Sequence, residues 1–548
     1  MTRYFLLIIG ILLFSAGLFS QNNSIIPLPN NIINSEGHFT VNAKTTIRFD
    51  ITNTALNRTA GYLNAEIEKQ TGYRLKTEDV SKSNTNTIVL SLIAPDSLGK
   101  EGYQLKVNKN SIKINAFAEQ GIFYAVQSLI QLLPFKSSKL KQLSIGCTEI
   151  VDKPRFAWRG MMLDCSRYYF PTDFIKKLLD NLALHKINTF HWHLTDDQGW
   201  RIEIKAFPKL TSVGAIRKET LVGHKKDIPE IYDGKPYGGY YTQNEISEIV
   251  KYAGERFITI VPEIEMPGHA QAAIAAYPWL GSTDTPTEVA TKWGVKPYLY
   301  NPFDTTFYFL EKVLTEVFDL FPGEYIHIGG DEAVKEQWIS NPKIQEKIKA
   351  LNLKNENELQ SWFIKRIQQF AQSKGKKIMG WDEITEGGAP RDAAIMYWRS
   401  DHKEPLEDAV RGNHPVVVTP QEYCYFDYYQ AFPPKEKLAI GGYLTLDKVY
   451  TFEPVPKFCT PTQAKQIMGA QANVWTEYIP TPEHAEYMLF PRLAALSEVV
   501  WTQPAKKDYI DFMSRLRKML SIYDQREINY SKKQFVNGFE NADNYKTK

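Results

Sequence analysis

The chain has 548 residues, 43% of them hydrophobic and 23% charged, the ordinary balance of a soluble globular protein with more than one domain. Its net charge of +3 is too small to argue for nucleic acid or an anionic membrane surface as a partner. The cysteines at 147, 165, 424 and 459 are too few and scattered for a disulfide scaffold and have no metal-type spacing, although pairing in an oxidising compartment stays open.

Residues 1–20 read as a secretory signal peptide. Arg3 supplies the positive charge, 4–19 is almost wholly apolar, and Ser15-Ala16-Gly17 with Ser20 offers small residues near a cut. The apolar run is short for a bilayer span, and no cysteine follows it for lipid attachment. Export to the periplasm or the medium is expected, with no membrane span in the mature protein.

From 21 to 150 the pattern predicts strands at 45–49, 87–92, 103–107 and 111–116 and helices at 56–70 and 119–133, the second stopping before Pro134. This suits a small α/β domain with helices on one face of a mainly antiparallel sheet. It gathers no catalytic residue types and reads as a support domain.

From 151 to 505 eight strand-like runs alternate with helical ones. The strands fall at 156–164, 188–194, 257–264, 324–328, 377–381, 393–398, 415–419 and 469–474. The helices include 172–185, 243–256, 307–321 and 356–373, with Asn244 a candidate start for the second. Eight units over this length predict a (β/α)8 TIM barrel with insertions, preceded by the small α/β N-terminal domain. The main rival is a doubly wound open sheet, but no glycine-rich phosphate loop follows the first strand. Residues 506–548 read as a charged helical extension packed on the barrel. Leu359-Gln-Ser-Trp362-Phe reads equally as core or as an interface, which leaves a homodimer open.

Barrel chemistry gathers at the C-terminal ends of the strands. Here those ends carry Asp164 to Arg167, Asp196-Asp197, Glu263 to His269, Asp331-Glu332, Trp381-Asp382-Glu383, Trp398, Tyr425 to Asp427 and Trp475 to Glu477. Any one is unremarkable as a strand-end charge or core aromatic. Carboxylates converging with tryptophans on one mouth suggest glycoside hydrolysis, which needs an acid for the leaving oxygen and negative charge against an oxocarbenium-like centre. Apolar walls also raise a carboxyl pKa toward neutrality. In Glu324-Tyr-Ile-His327-Ile-Gly-Gly-Asp331-Glu332 a buried strand and two glycines lead to two adjacent carboxylates. Neighbours on one strand cannot easily flank a bond from opposite sides. They suit a substrate that carries its own nucleophile, such as a 2-acetamido group.

Asp331-Glu332, His191-Trp-His-Leu-Thr-Asp-Asp197, Pro267-Gly-His269 and Trp475-Thr-Glu477 together resemble the family 20 glycoside hydrolases, the β-N-acetylhexosaminidases. Glu101-Gly-Tyr and Gly121-Ile-Phe-Tyr-Ala-Val-Gln-Ser-Leu resemble that family's N-terminal domain. The resemblance implies an exo-acting, retaining, substrate-assisted hydrolase of glycans that end in β-linked N-acetylhexosamine, with no cofactor and no metal. It implies that Glu332 is the acid and base and that Asp331 orients the acetamide. Tyr425 would hydrogen-bond the acetamido oxygen, and Trp381, Trp398 and Trp475 would wall the sugar. Arg167, Asp427 and Glu477 would bind ring hydroxyls, and Asp196 and His269 would stand behind the acid. A raised pKa is expected for Glu332.

Two other readings compete. His191 and His193 share one face of a strand, and a His-x-His there can bind metal, but the fifth and sixth strands end in tryptophan rather than further ligands. A buried hydrogen-bond network is the preferred role. A glycan-binding protein would keep the tryptophan wall but has no use for an Asp-Glu pair.

Overall fold

The computed structural model describes residues 24–80, 85–135, 139–432 and 436–533. The signal-peptide reading therefore lies outside the described residues, as does the last part of the C-terminal extension. No helix among the described residues is long and apolar enough to cross a membrane.

The N-terminal domain is a seven-stranded sheet carrying the helices Thr54–Thr71 and Glu119–Leu132. The expected mainly antiparallel sheet is in fact mixed. Three neighbouring pairs are antiparallel and three parallel, because the helix Thr54–Thr71 makes a crossover and leaves Thr46–Phe49, Lys76–Asp79 and Thr87–Leu92 running the same way. Strands Asn31–Val41, Leu143–Asp152 and the short, polar Lys76–Asp79 were not legible. The first is an exposed edge with little alternation, and the second includes a glycine and charges.

Helix Glu119–Leu132 is buried on nearly every side, as an all-round apolar sequence requires. Gly121 lets it approach the sheet: a β-carbon there would stand 2.3 Å from the carbonyl oxygen of Gly102. The same helix meets the barrel. Gln131 Nε2 donates to the Leu184 carbonyl at 2.9 Å, and Tyr124 packs edge-on against Trp501 at 5.4 Å. Buried Arg159 bonds Glu101, and buried Lys186 bonds Asp152 at 3.1 Å, so each cation has its partner on the other domain.

The barrel strands are β1 (Trp158–Asp164), β2 (Thr189–His193), β3 (Thr259–Glu263), β4 (Tyr325–His327), β5 (Lys377–Trp381), β6 (Ala394–Tyr397), β7 (Val416–Val418) and β8 (Ile467–Val474). All pairs are parallel, and β8 pairs with β1 to close the ring, so the open-sheet alternative is excluded. Alternation sorts the side chains. Phe190 and Trp192 of β2 face the helix layer, whereas Thr189, His191 and His193 face the axis. The floor of the barrel is a separate apolar cluster of Trp158, Val261, Met379, Ala394, Met396 and Val417. Polar groups stack above it, toward the strand ends.

The helix after β2's insertion begins at Thr242, not Asn244. Thr242 and Glu245 form a reciprocal capping box around Gln243–Gly254. Leu359 and Phe363 are core residues and Trp362 packs edge-on to Phe307 at 5.5 Å, which resolves that segment as interior. Helix Tyr509–Gln525 ties the first described residues to the end of the barrel. Its Arg515 bonds Glu498 at 2.6 Å and the Ile25 carbonyl at 2.9 Å. All four cysteines are free.

Candidate active site

The strand ends enclose a cavity with about 770 Å³ of empty space counted out to its open mouth. Arg167, Asp196, His269, Asp331, Glu332, Trp381, Trp398, Tyr425, Asp427, Trp475 and Glu477 all line it. Every site residue expected from the sequence is thus brought to one place. Lys225, Gly294, Val295, Gln421, Tyr428 and Ile440 also line the cavity and were not anticipated. They belong to connections whose path over the mouth leaves no periodic signal in the sequence.

Four strand ends are locked by buried polar groups. Asp164 accepts from Arg167 Nη1 at 3.2 Å and from the Thr476 amide at 3.1 Å, joining the ends of β1 and β8. Arg167 Nη2 reaches Asp196 at 2.8 Å and its Nε donates to Gln198 at 3.0 Å, so the guanidinium is fixed before any ligand arrives. Behind it, buried Arg217 Nη1 donates to the Arg167 carbonyl at 2.7 Å. Arg492 does the same for the segment around Asp427, donating to the carbonyls of Phe426 and Tyr428.

Beneath the cavity Glu263 is shared by three imidazoles. His191 Nε2 stands 3.0 Å from it and His327 Nδ1 2.7 Å, with His193 Nδ1 closer still, and Trp381 Nε1 donates at 2.8 Å. Burial pushes the Glu263 pKa up, but the imidazoles outweigh it and hold the carboxyl well below its usual range. The His-x-His pair thus serves a buried hydrogen-bond network around Glu263, which in turn orients Trp381. The metal reading would have to break it.

Asp331 and Glu332 leave β4 through Gly329 (φ +64°) and Gly330 (φ +94°), and Glu332 itself takes φ +43°. A left-handed backbone at a non-glycine residue is strained and is held here by the packing around it. His269, also left-handed at φ +50°, faces both carboxylates: its Nε2 lies 3.5 Å from Glu332 and 3.7 Å from Asp331. Its Nδ1 is anchored by Asp196 at 3.2 Å and Asp197 at 3.1 Å. Burial opposes the charge on His269, but these carboxylates prevail and raise its pKa well above normal.

The two carboxyls are held differently, and the expectation for Glu332 is corrected. Asp331 is only 8% exposed, and burial pushes its pKa up to about 7 against the pull of His269. Glu332 has a side chain 39% exposed. Burial raises its pKa too, but the hydrogen bond and charge of His269 win and leave it below its usual value. Asp331 is therefore the more basic member of the pair. Asp331 Oδ1 and Asp427 Oδ1 are buried without hydrogen-bond partners, so both are open to a polar group of a ligand. Burial, with Glu477 nearby, also raises Asp427 well above its usual range.

The walls are aromatic. Trp381 and Trp475 lie 5.7 Å apart, and Trp398 stacks on Tyr425 at 5.9 Å and 20°. Glu383, missed as a site residue, fixes Trp398 by accepting from its Nε1 at 3.0 Å. Glu265 was missed too. It is 2% exposed with neither oxygen hydrogen-bonded, and it occupies the space that the missing side chain of Gly329 leaves. A β-carbon on Gly329 would sit 1.7 Å from Glu265 Oε2. Gly329→Ala is expected to destabilise the fold by about 2–4 kcal/mol and to misplace Asp331. A thermal melt with an activity assay checks this, and a variant with normal melting and turnover would refute the close fit.

Two family models cover this chain. Residues 156–504 match the catalytic domain of glycosyl hydrolase family 20 and residues 22–153 match its domain 2. The chain belongs to glycosyl hydrolase family 20. Among its relatives, the β-hexosaminidase of Porphyromonas gingivalis is 40% identical over 518 residues, covering 93% of this chain and 65% of the relative, so this chain spans just under two thirds of that protein. The β-hexosaminidase of Vibrio furnissii is 34% identical, covering 86% and 76%. A crystal structure of the family 20 exo-β-N-acetylglucosaminidase from Vibrio harveyi in complex with N-acetylglucosamine superposes with a TM-score of 0.81 at 34% identity, covering 93% of this chain and 78% of that one. The family 20 β-N-acetylhexosaminidase from Streptomyces coelicolor gives 0.82 at 31% identity, covering 94% and 98%.

Proposed function

We propose that this family 20 protein is an exo-acting β-N-acetylhexosaminidase that removes terminal, non-reducing GlcNAc or GalNAc by a retaining, substrate-assisted reaction. The carrying observation is the buried, unpartnered Oδ1 of Asp331 beside the exposed Glu332. A carboxylate oxygen so placed wants an N–H, and the acetamido group of a bound hexosamine supplies one.

With the sugar ring between Trp381, Trp398 and Trp475, the acetamido oxygen attacks the anomeric carbon. The glycosidic C–O bond breaks, and Glu332 gives its proton to the departing oxygen. The cyclic oxazolinium ion that forms carries its positive N–H against Asp331, while the Tyr425 hydroxyl, kept neutral by burial, donates to the acetamido oxygen. Water then adds to the anomeric carbon from the side the leaving group vacated, Glu332 takes its proton, and the acetamide is restored. Substrate binding shifts the proton from Asp331 toward Glu332, because the substrate N–H favours charge on Asp331 and the loss of water around Glu332 favours its neutral form. We further propose that the protein is exported, on the strength of residues 1–20.

The test is a panel of p-nitrophenyl glycosides, with a chelator as control. Hydrolysis of the N-acetyl-β-glucosaminide at least about a thousandfold faster than of the β-glucoside is expected, since only the former brings an intramolecular nucleophile. Equal rates would overturn the reading, as would a sugar trapped covalently on a side chain.

A further inference from the structure

Two half-buried lysines, Lys225 at the cavity mouth and Lys296 next to its rim residue Val295, have no role in the reaction above. Lys225 lines the cavity, and its Nζ lies 3.6 Å from where a side chain on Gly294 would begin. Gly294 takes φ +99°, a turn that calls for glycine. Lys296 follows two residues later. It adjoins Val295, which lines the cavity.

Both lysines stand on a firm base. Trp293 is 3% exposed and packs 5.6 Å from Tyr168, with the Arg217 guanidinium 5.2 Å from its ring. The Lys225 amide donates to the Tyr478 hydroxyl at 3.1 Å, and His224 stacks on that ring at 5.2 Å and 6°. Among the described residues neither Lys225 nor Lys296 has a carboxylate within 4.0 Å. Their neighbours do: Lys292 pairs with Glu230 and Lys218 with Glu288. Asp227, on the same turn as Lys225, is turned away to accept from the His224 amide at 2.7 Å.

We propose that Lys225 and Lys296 form a cationic clamp that favours substrates whose leaving-group sugar carries an anion, a uronic carboxylate or a sulfate ester. The proposal rests on the hexosaminidase reading. Its direction comes from Val295, which lies between the lysine positions, is 43% exposed, and borders both the cavity and a neighbouring groove. That groove also contains Glu332 and Trp398. Glu332 must reach the glycosidic oxygen, so the leaving sugar passes Glu332 and meets the rim that holds Val295. The cavity's other cations, Arg167 and His269, are already engaged by Asp196 and Glu332 and are not free for an anionic substrate. An acidic glycan therefore needs compensating cations where its charge sits, whereas a neutral one does not. Lysines that only balanced the buried carboxylates would treat both alike.

The experiment compares kcat/KM for chitobiose and for an N-acetylglucosaminyl-glucuronate disaccharide in the full-length protein and in Lys225→Met, Lys296→Met and Lys225→Arg. The ratio of acidic to neutral substrate is expected to fall about tenfold for each methionine variant, as loss of one charge-assisted contact implies. Lys225→Arg should keep most of the ratio, and added salt should erode it in the wild type. A ratio unchanged in both methionine variants would overturn the clamp. So would a lysine dependence seen only with a hexosaminide sulfated on its own ring, which would place the anion on the other sugar. Failure of the wild type to cleave the p-nitrophenyl hexosaminide would instead refute the underlying activity.

Discussion

Glu332→Gln is expected to lower kcat/KM by about 10²–10⁴-fold on oligosaccharides, whose leaving groups need a proton, and by much less on activated aryl hexosaminides. Gln keeps the shape, and the strained backbone at φ +43° is unchanged, so the fold should survive. Equal losses on both substrates would remove Glu332 from the acid role. The pH profile sharpens the test. The wild-type pair must retain one proton, and its more basic member titrates at about 7 on Asp331. Wild-type kcat/KM on oligosaccharides is therefore expected to fall as pH rises through about 7. The alkaline limb is the one expected for Glu332, but in the free enzyme the pair carries it with its proton on Asp331. In Glu332→Gln that requirement disappears. Activity on aryl substrates should then rise with pH as Asp331 becomes charged, and an unchanged alkaline limb would contradict the assignment.

Asp331→Asn is expected to slow aryl and natural substrates alike, by about 10²–10³-fold, because it removes the charge facing the oxazolinium N–H before any question of leaving-group quality arises. An unaffected rate would end that role. The same substitution should stabilise the protein at alkaline pH. The Asp331 pKa is raised from 3.8 to about 7 by burial, so its charged form is the disfavoured one in the fold. The penalty is absent below the ordinary pKa, grows as pH rises toward 7 and is complete above it. Asp331→Asn should therefore melt higher than wild type at pH 8 and no higher at pH 4. A gain of the same size at both pH values would mean that charge burial is not the cause.

Eight barrel strands could be read from the chain because each is a short, largely apolar run and most are set off by a helix of clear period. Alternation within a strand even forecast that His191 and His193 face one way. The N-terminal sheet was less legible. Its edge strand Asn31–Val41 is mostly exposed and lacks alternation, and the parallel order of its inner strands depends on a crossover that no local pattern encodes.

Residue types at strand ends alone placed the whole candidate site at one mouth, since a barrel of known direction gathers those ends whatever lies between them. The sequence by itself therefore determined the architecture, the family and which carboxylates meet. Proton affinities were beyond it. Asp331 and Glu332 are neighbours in sequence with similar intrinsic acidity, yet one is buried with an oxygen that no donor meets and the other lies open beside His269, a residue 63 positions away in the chain. Only the tertiary structure decided which of them holds the proton, because desolvation and through-space charge depend on what the fold brings near. The lysines at the mouth were equally hidden, for an ammonium gains meaning only when its lack of a carboxylate can be seen.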